Sequence, residues 1–448
     1  MYRRAATLLF LSLLAVPSRA QNLVSLIPTL YGPGGITVDT DLPSFHGFTH
    51  HPHFATSFLQ EFQAFNEAFA SQLSTEPVPS PASGFTYSYD SALGVFKRSS
   101  QSFGPILTDR SETIGKGKFT FGFNYQYFNF DSLNGVGLHS LPAVLQHLDP
   151  RDPKFGLFTF DVITLNVDIN ATVNQVTAFA TYGLINRVDA SVAVPLEKVS
   201  LSASGQATIQ RLGSDWPGST GPLTHFFSAQ YPANAYKSGT ASGVGDVLLR
   251  LKGRILESDN GGVALGLDTR FPTGDELNLL GTGAWGIKPY LVASYAGKIV
   301  SPHVNLGYQW NGDSYLGVNG NGATVVNLAN QPVPLTKGKL PNVFFYEAGL
   351  DAGITKRLTL AVDYLGRDFI NAEQAYATTF EAPDPGGTLH PFPDTQTRVT
   401  NFNTGELAAG LKFNPAGNLL IDVNVLFSVD HNGLHHDAAP LFGFEYTF

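Results

Sequence analysis

The sequence predicts an all-β fold: a transmembrane antiparallel β-barrel of about 12 strands, preceded by a partly helical N-terminal segment. Three observations predict it. Apolar residues recur with period two from Lys118 onward, short and long connections alternate between those runs, and the last run is an aromatic ladder ending on Phe448.

The first twenty residues read as a targeting segment. Arg3 and Arg4 precede an apolar stretch from Ala5 to Val16, and small residues at Ser18 and Ala20 offer a cleavage site before Gln21. Removing Arg3, Arg4 and Arg19 leaves 27 − 3 = 24 basic residues against 36 acidic ones, so the mature chain is near 24 − 36 = −12. That balance disfavours nucleic acid, because phosphate binding needs a basic face. The absence of cysteine removes disulfides, thiolate metal ligands and thiol nucleophiles. Only 14% of the residues are charged, against about 25% in an ordinary soluble domain.

The strands follow from alternation. Phe119, Phe121, Phe123, Tyr125 and Tyr127 alternate with Thr120, Gly122, Asn124 and Gln126. Successive strand side chains face opposite sides, so one face is aromatic and the other small or polar. The same pattern returns at Ile163–Asn170, Val188–Val194, Val247–Lys252, Val263–Arg270 and Trp285–Tyr295, then near Val304, Phe344, Leu358, Leu407, Leu419 and Phe442. A soluble β-sandwich also alternates, but its solvated face carries more Lys and Glu than these faces do. The connections separate the two. Short ones at 183–187, 257–262, 297–302, 354–357 and 414–418 alternate with long ones at 131–162, 200–243, 272–283, 311–341, 367–401 and 428–440. Short turns at one rim and long loops at the other mark an outer-membrane barrel, which the bilayer forces to close. The expected localisation is the cell outer membrane.

The final strand places Phe442, Phe444, Tyr446 and Phe448 on one face. This ladder resembles the terminal signature that the barrel-assembly machinery of bacteria recognises. Trp285, Tyr295, Tyr308, Trp310, Tyr346 and Tyr446 suit the aromatic girdles at the two membrane interfaces.

Residues 21–115 break the pattern and form a separate N-terminal segment before the barrel at 116–448. Phe54, Phe58, Phe62, Phe65 and Phe69 recur at helical spacing over 54–74. A face without Lys or Arg favours packing against protein, as in a plug, over lying on an anionic membrane surface. A short hairpin at 85–97 follows, and if it joins the wall the strand count becomes fourteen.

Catalytic motifs are missing. Gly281–Gly286 has the spacing of a dinucleotide loop but opens a strand rather than a helix. No cofactor is expected and the reading is not an enzyme. His46, His50, His51 and His53 cluster near the N-terminus, and His431, His435 and His436 lie beside Asp430 and Asp437 in the last long loop. These are the residues that a divalent metal would use, although loop histidines are usually incidental. The residues that matter most are inward charges at membrane depth, which are costly unless they face water or one another. They are Asp246, Arg250, Lys252, Asp268, Arg270, Lys288, Glu347, Asp351, Asp363, Glu406, Lys412 and Asp422. Two readings stand side by side: a ladder of ion pairs bracing the wall, and a charged constriction that selects solutes.

Three stretches carry a family resemblance: Thr181–Asp189 (TYGLINRVD), Gly243–Arg250 (GVGDVLLR), and Phe271–Asp275 (FPTGD) with Leu280–Gly283 (LGTG). In order and strand placement the chain resembles, over about 115–310, a family of bacterial outer-membrane proteins labelled for the meta-pathway of phenol degradation and often called transporters. The resemblance implies a barrel that passes aromatic or hydrophobic compounds. The expected function is therefore an outer-membrane channel or transporter for small solutes, working without covalent chemistry. Its partners would be outer-membrane lipid, the assembly machinery and the solute. A membrane-embedded enzyme, and an adhesin or receptor built on the loops at 200–243 and 367–401, are the alternatives from other classes.

Overall fold

Alternating side chains let each run bury one face and present the other, and twelve such runs pair edge to edge until no edge remains. The computed structural model describes residues 22–40, 63–75, 84–90, 95–98, 102–146, 160–213, 215–217, 225–258, 260–326 and 331–448. The targeting segment and His46, His50, His51 and His53 lie outside these residues. The wall strands are β1 (Phe119–Phe130), β2 (Val162–Ile185), β3 (Val188–Gln210), β4 (Val247–Ser258), β5 (Gly261–Phe271) and β6 (Gly286–Tyr295). They continue as β7 (Val300–Asn311), β8 (Asn342–Thr355), β9 (Leu358–Pro383), β10 (Leu389–Phe413), β11 (Leu419–Ser428) and β12 (Ala439–Thr447). Every strand pairs antiparallel with its sequence neighbours, and β12 returns to β1 with Phe442 opposite Tyr125 and Tyr446 opposite Phe121. The Phe448 amide completes the seam by donating to the Phe119 carbonyl at 2.7 Å.

Two auxiliary strands extend the wall without adding to its circumference. Leu141–Gln146 lies on the upper part of β2, and Asn234–Val244 lies on the upper part of β3, in line with β4. The hairpin Tyr87–Asp90/Val95–Arg98 forms a two-stranded sheet of its own, so the wall has twelve strands, not fourteen.

Two of the expected long loops are largely strand. β9 and β10 have 26 and 25 residues and turn within 384–388, where a loop spanning 367–401 was expected. Likewise β3 continues to Gln210 and the auxiliary strand begins at Asn234, which shortens the loop expected over 200–243. Beyond the bilayer these strands have no lipid to meet, so they lack the apolar outward stripe by which a membrane strand is recognised.

The polarity of the two faces reverses at one level of the wall. Outward residues on β2 from 176 to 184 include Val176, Ala178, Ala180 and Tyr182, and on β3 from 188 to 196 they include Val192, Val194 and Leu196. That is an apolar belt nine positions tall on each strand (176–184, 188–196), matching the ~9–11 residues of a tilted membrane strand. Leu196 lies between Val176 and Val244, and one rung higher Lys198 lies between Asn174 and Ser242. Above that line the outward residues are polar, whereas Ile163, Leu165, Val167, Ile169 and Val173 point inward and are buried. The apolar stripe at 163–169 therefore faces the interior rather than lipid, as it does in a water-exposed β structure with a dry core. The outer half of β2, β3, β9 and β10 stands above the membrane as a tower.

Candidate functional site: the lumen and the chain inside it

Within the belt, inward charges have left water and each needs a partner. The chain just before β1 supplies many of them. Residues 102–115 run inside the barrel at its inner, short-turn end, and nearly all are buried. Asp363 Oδ2 accepts the backbone amides of Ile106 and Leu107 at 2.8 Å each and of Thr108 at 3.3 Å. The Phe103 amide donates to Thr359 Oγ1 at 2.9 Å, the Ser111 amide to Ser294 Oγ at 3.0 Å and the Ile114 amide to Asp189 Oδ2 at 2.9 Å. Lys412 Nζ donates to the Pro105 carbonyl, and Ser102 Oγ donates to Asp351. Lys252 Nζ reaches Asp109 Oδ1 at 2.8 Å and the Arg110 carbonyl at 2.9 Å. The segment leaves beside Gly183, where an added Cβ would collide with the Gly115 carbonyl. A glycine is required at that crossing.

The predicted inward residues thus divide into groups. Lys252, Asp351, Asp363 and Lys412 hold the inserted segment. Others make cross-strand pairs: Arg250 donates to both oxygens of Asp268 at 2.7 Å, Lys288 lies 3.4 Å from Asp268, and Arg270 lies 3.6 Å from Asp246. Arg250 also approaches Asp109 at 3.7 Å. Asp246 organises the loop after β5, accepting the Thr282 amide at 2.8 Å and the Gly274 amide at 3.1 Å. Glu347 accepts from Asn305 at 3.2 Å, and Asp422 packs over Gly443. Glu406 lies higher, paired with Arg367 and 3.0 Å from His436 Nε2. A cavity of about 30 Å³ remains beside Leu107, bordered by Arg250, Lys288, Tyr290, Phe345 and Glu347. The ammonium of Lys288 sits 4.5 Å from the Phe345 ring centre there, a favourable cation–π distance.

His303 is embedded between carboxylates. Its Nε2 lies 3.0 Å from Asp363 Oδ1 and its Nδ1 3.4 Å from Asp351 Oδ1. Ser102 reaches the same cluster by donating to Asp351.

The outer half of the interior is apolar. Helix α1 (Gln63–Thr75) buries Phe65 and Phe69, and Phe69 packs edge-on against Phe130 of β1 at 5.9 Å. This selects packing against protein for the part of the Phe-striped helix that is described; Phe54, Phe58 and Phe62 lie outside the described residues. Leu23, Val24, Ile27 and Leu30 join the same core with Ile163, Leu165 and Val167 of β2. Lys237 donates to Thr29, and Tyr31 donates to the Ala233 carbonyl at 3.0 Å, tying this stretch to the tower. Glu67 is buried in the core, accepting the Glu373 amide at 2.7 Å and the Ser71 hydroxyl at 3.0 Å. Burial raises its carboxyl from the ordinary 4.5 to about 8.

Of the second histidine cluster, His435 Nδ1 lies 2.8 Å from Asp131, and with Asp437 these donors come within 4.8 Å of one another. His436 instead turns inward to Glu406 and the Phe128 ring. Phe442, Phe444, Tyr446 and Phe448 all face outward and are exposed, by 39–64%. Trp285 and Trp310 mark the outer end of the belt.

Asp109 and Arg367 were not singled out from the sequence, and Asp189 and Tyr290 were read only as polar-face strand positions, not as candidate site residues. The run Asp109-Arg110-Ser111-Glu112 was visible as a charged island in an otherwise neutral stretch.

Residues 152–432 match the family described as "Putative MetA-pathway of phenol degradation". The chain belongs to this family. Among solved structures it is similar to the NanC porin, with 11% identity over 73% of this chain and 98% of the porin at a TM-score of 0.34. It is also similar to the Ralstonia pickettii toluene transporter TbuX, with 9% identity over 75% and 90% of the two chains at a TM-score of 0.32. A Pseudomonas aeruginosa FadL homologue aligns with 12% identity over 75% and 90% at a TM-score of 0.31. No curated protein sequence matches the chain significantly. In this family member the closed wall, apolar outer belt and alternating rims place the barrel in the outer membrane.

Proposed function

We propose that the protein is an outer-membrane channel for small hydrophobic or aromatic solutes, gated by the parts of its own N-terminal chain at 22–40, 63–75 and 102–115. The observation that carries this reading is the reversal of wall polarity: above the belt the interior is lined by Ile163, Leu165, Val167, Phe128 and Phe130, and residues 23–30 with helix α1 cover that apolar lining, so their movement would expose it to a solute. The inserted chain acts as the plug. It is held by hydrogen bonds and ion pairs that can exchange with water, chiefly at Lys252, Asp351, Asp363 and Lys412. Arg250, Asp268, Arg270, Lys288 and Glu347 would then line the path that plug movement opens. The cluster around His303 supports a bracing role better than an enzymatic one, because both ring nitrogens face carboxylates.

The reading is tested by phenol uptake in cells with and without the gene, together with planar-bilayer recording of the purified barrel. Slower uptake on deletion, and conductance that rises when contacts to 102–115 are removed, are the expected outcomes. Unchanged uptake together with silent bilayers would refute the proposal.

A further inference from the structure

The tower formed by β2, β3 and the auxiliary strand Asn234–Val244 has an outer face with unusual chemistry. Every second position of 166–174, 198–206 and 234–242 points outward, in register, as five three-residue rungs. Twelve of the fifteen are Ser, Thr, Asn or Gln, and the others are Asp168, Lys198 and Tyr236. Two charges in fifteen matches the 14% of the whole chain and is below the ~25–35% of a typical solvated surface, so the polarity of this face rests on short hydroxyls and amides. The second hairpin tower differs, exposing Arg398 against Gln374 and Tyr376.

A groove of about 590 Å³ crosses this face between Asp168, Gln206, Asn234 and Tyr236. Tyr236, which lines the groove, is 68% exposed. A rigid aromatic ring amid short amides and hydroxyls gives stacking area with adaptable hydrogen bonding at low entropic cost. Sugars need that combination: C–H faces to stack and hydroxyls to bond. Asp168 adds a carboxylate acceptor, already oriented by His139 Nδ1 at 2.9 Å. Lys198 is the one cation on the fifteen positions, too little to neutralise a phosphate-rich ligand.

Position selects the source. The lowest polar rung, Ser242–Lys198–Asn174, follows directly on the last apolar rung, Val244–Leu196–Val176. The surface is therefore continuous with the lipid contact and looks sideways into the layer above the acyl chains. We propose that this face docks the neutral saccharide of the outer-leaflet glycolipid that surrounds the barrel.

The test uses the full-length protein in nanodiscs, titrated with dephosphorylated core oligosaccharide released from lipopolysaccharide and followed by saturation-transfer NMR and calorimetry. Saturable binding that chelator does not alter is expected, falling at least tenfold in Tyr236→Ala and less than twofold in Lys198→Ala. A Gln206→Ala/Asn234→Ala double variant should weaken binding independently. Heat-modified gel mobility reports that each variant is folded. No binding of the dephosphorylated oligosaccharide, a strict need for phosphate or divalent cation, or full affinity in both tyrosine and amide variants would overturn the proposal. A dimer joined through this face would overturn it too, by assigning the surface to a second copy of the chain.

Discussion

Asp363 Oδ2 lies 2.8 Å from the Leu107 backbone nitrogen, and the same oxygen also receives the amides of Ile106 and Thr108. One wall carboxylate thus terminates a turn of the inserted chain. Leaving a buried amide without an acceptor costs about 1–3 kcal/mol. Asp363→Ala should therefore loosen residues 102–115 and raise bilayer conductance, whereas Asp363→Asn, which keeps an acceptor oxygen, should do so less. Equal conductance in wild type and both variants would show that this contact does not restrain the plug.

Arg250 is gripped by both oxygens of Asp268 and approached by Asp109. Removing one partner of a buried pair is costly, about 3–5 kcal/mol, because the other charge stays behind. Arg250→Ala should lower the thermal stability of the folded barrel and shift the open channel towards cations, read as a changed reversal potential in a salt gradient. Arg250→Lys should restore charge but not the two-pronged contact, giving an intermediate result.

Glu67 makes the seating of helix α1 pH-dependent. Its carboxyl is raised to about 8 in the core against 4.5 in an unfolded segment. The seated helix therefore retains a proton that the released helix gives up, and stability falls as pH rises from about 4.5 to about 8. Hydrogen exchange of residues 63–75 should accelerate across that window, beyond the intrinsic pH dependence of exchange, and level off above it. Glu67→Gln should remove the effect.

Phe69 fills the apolar core against Phe130. Phe69→Ala should cost about 3–5 kcal/mol in local stability, and protease cleavage within 63–75 in intact cells should increase.

Phe448 contributes little burial, being 64% exposed, but its amide closes the seam to Phe119. Deleting Phe448 is predicted to reduce the amount of assembled barrel several-fold, measured as heat-modifiable protein in outer-membrane fractions, without altering the conductance of molecules that do assemble.

The membrane belt was legible because lipid imposes a strict outward pattern, and the Phe119–Tyr127 and Phe442–Phe448 ladders obey it. The towers were harder to read. At Asn174 the roles of the faces exchange, and alternation alone does not say which face is dry, so Ile163–Ile169 looked like one more lipid stripe. In the upper part of β10, polar residues such as Thr395, Gln396, Thr397 and Arg398 follow one another and read as loop. A ladder of ion pairs among the charged wall positions could be read from the sequence, but the partners inside the barrel could not, since Asp109 and Ile106–Thr108 belong to a segment with no periodic signal. Contacts made by backbone amides leave no trace in side-chain identity.

The seam between β1 and β12 joins residues 120–126 to 441–447, the most distant pairing in the wall. The chain inside that wall precedes all of it, reaching the outer end with Leu23–Leu30 and the inner end with Ser102–Gly115. Residues 22–40, 63–75 and 102–115 are therefore all synthesised before the strand that closes the seam exists, and they are available to pack while the sheet is still open. The order of synthesis thus favours filling before closure, with the protein's own beginning as a mandrel for the wall.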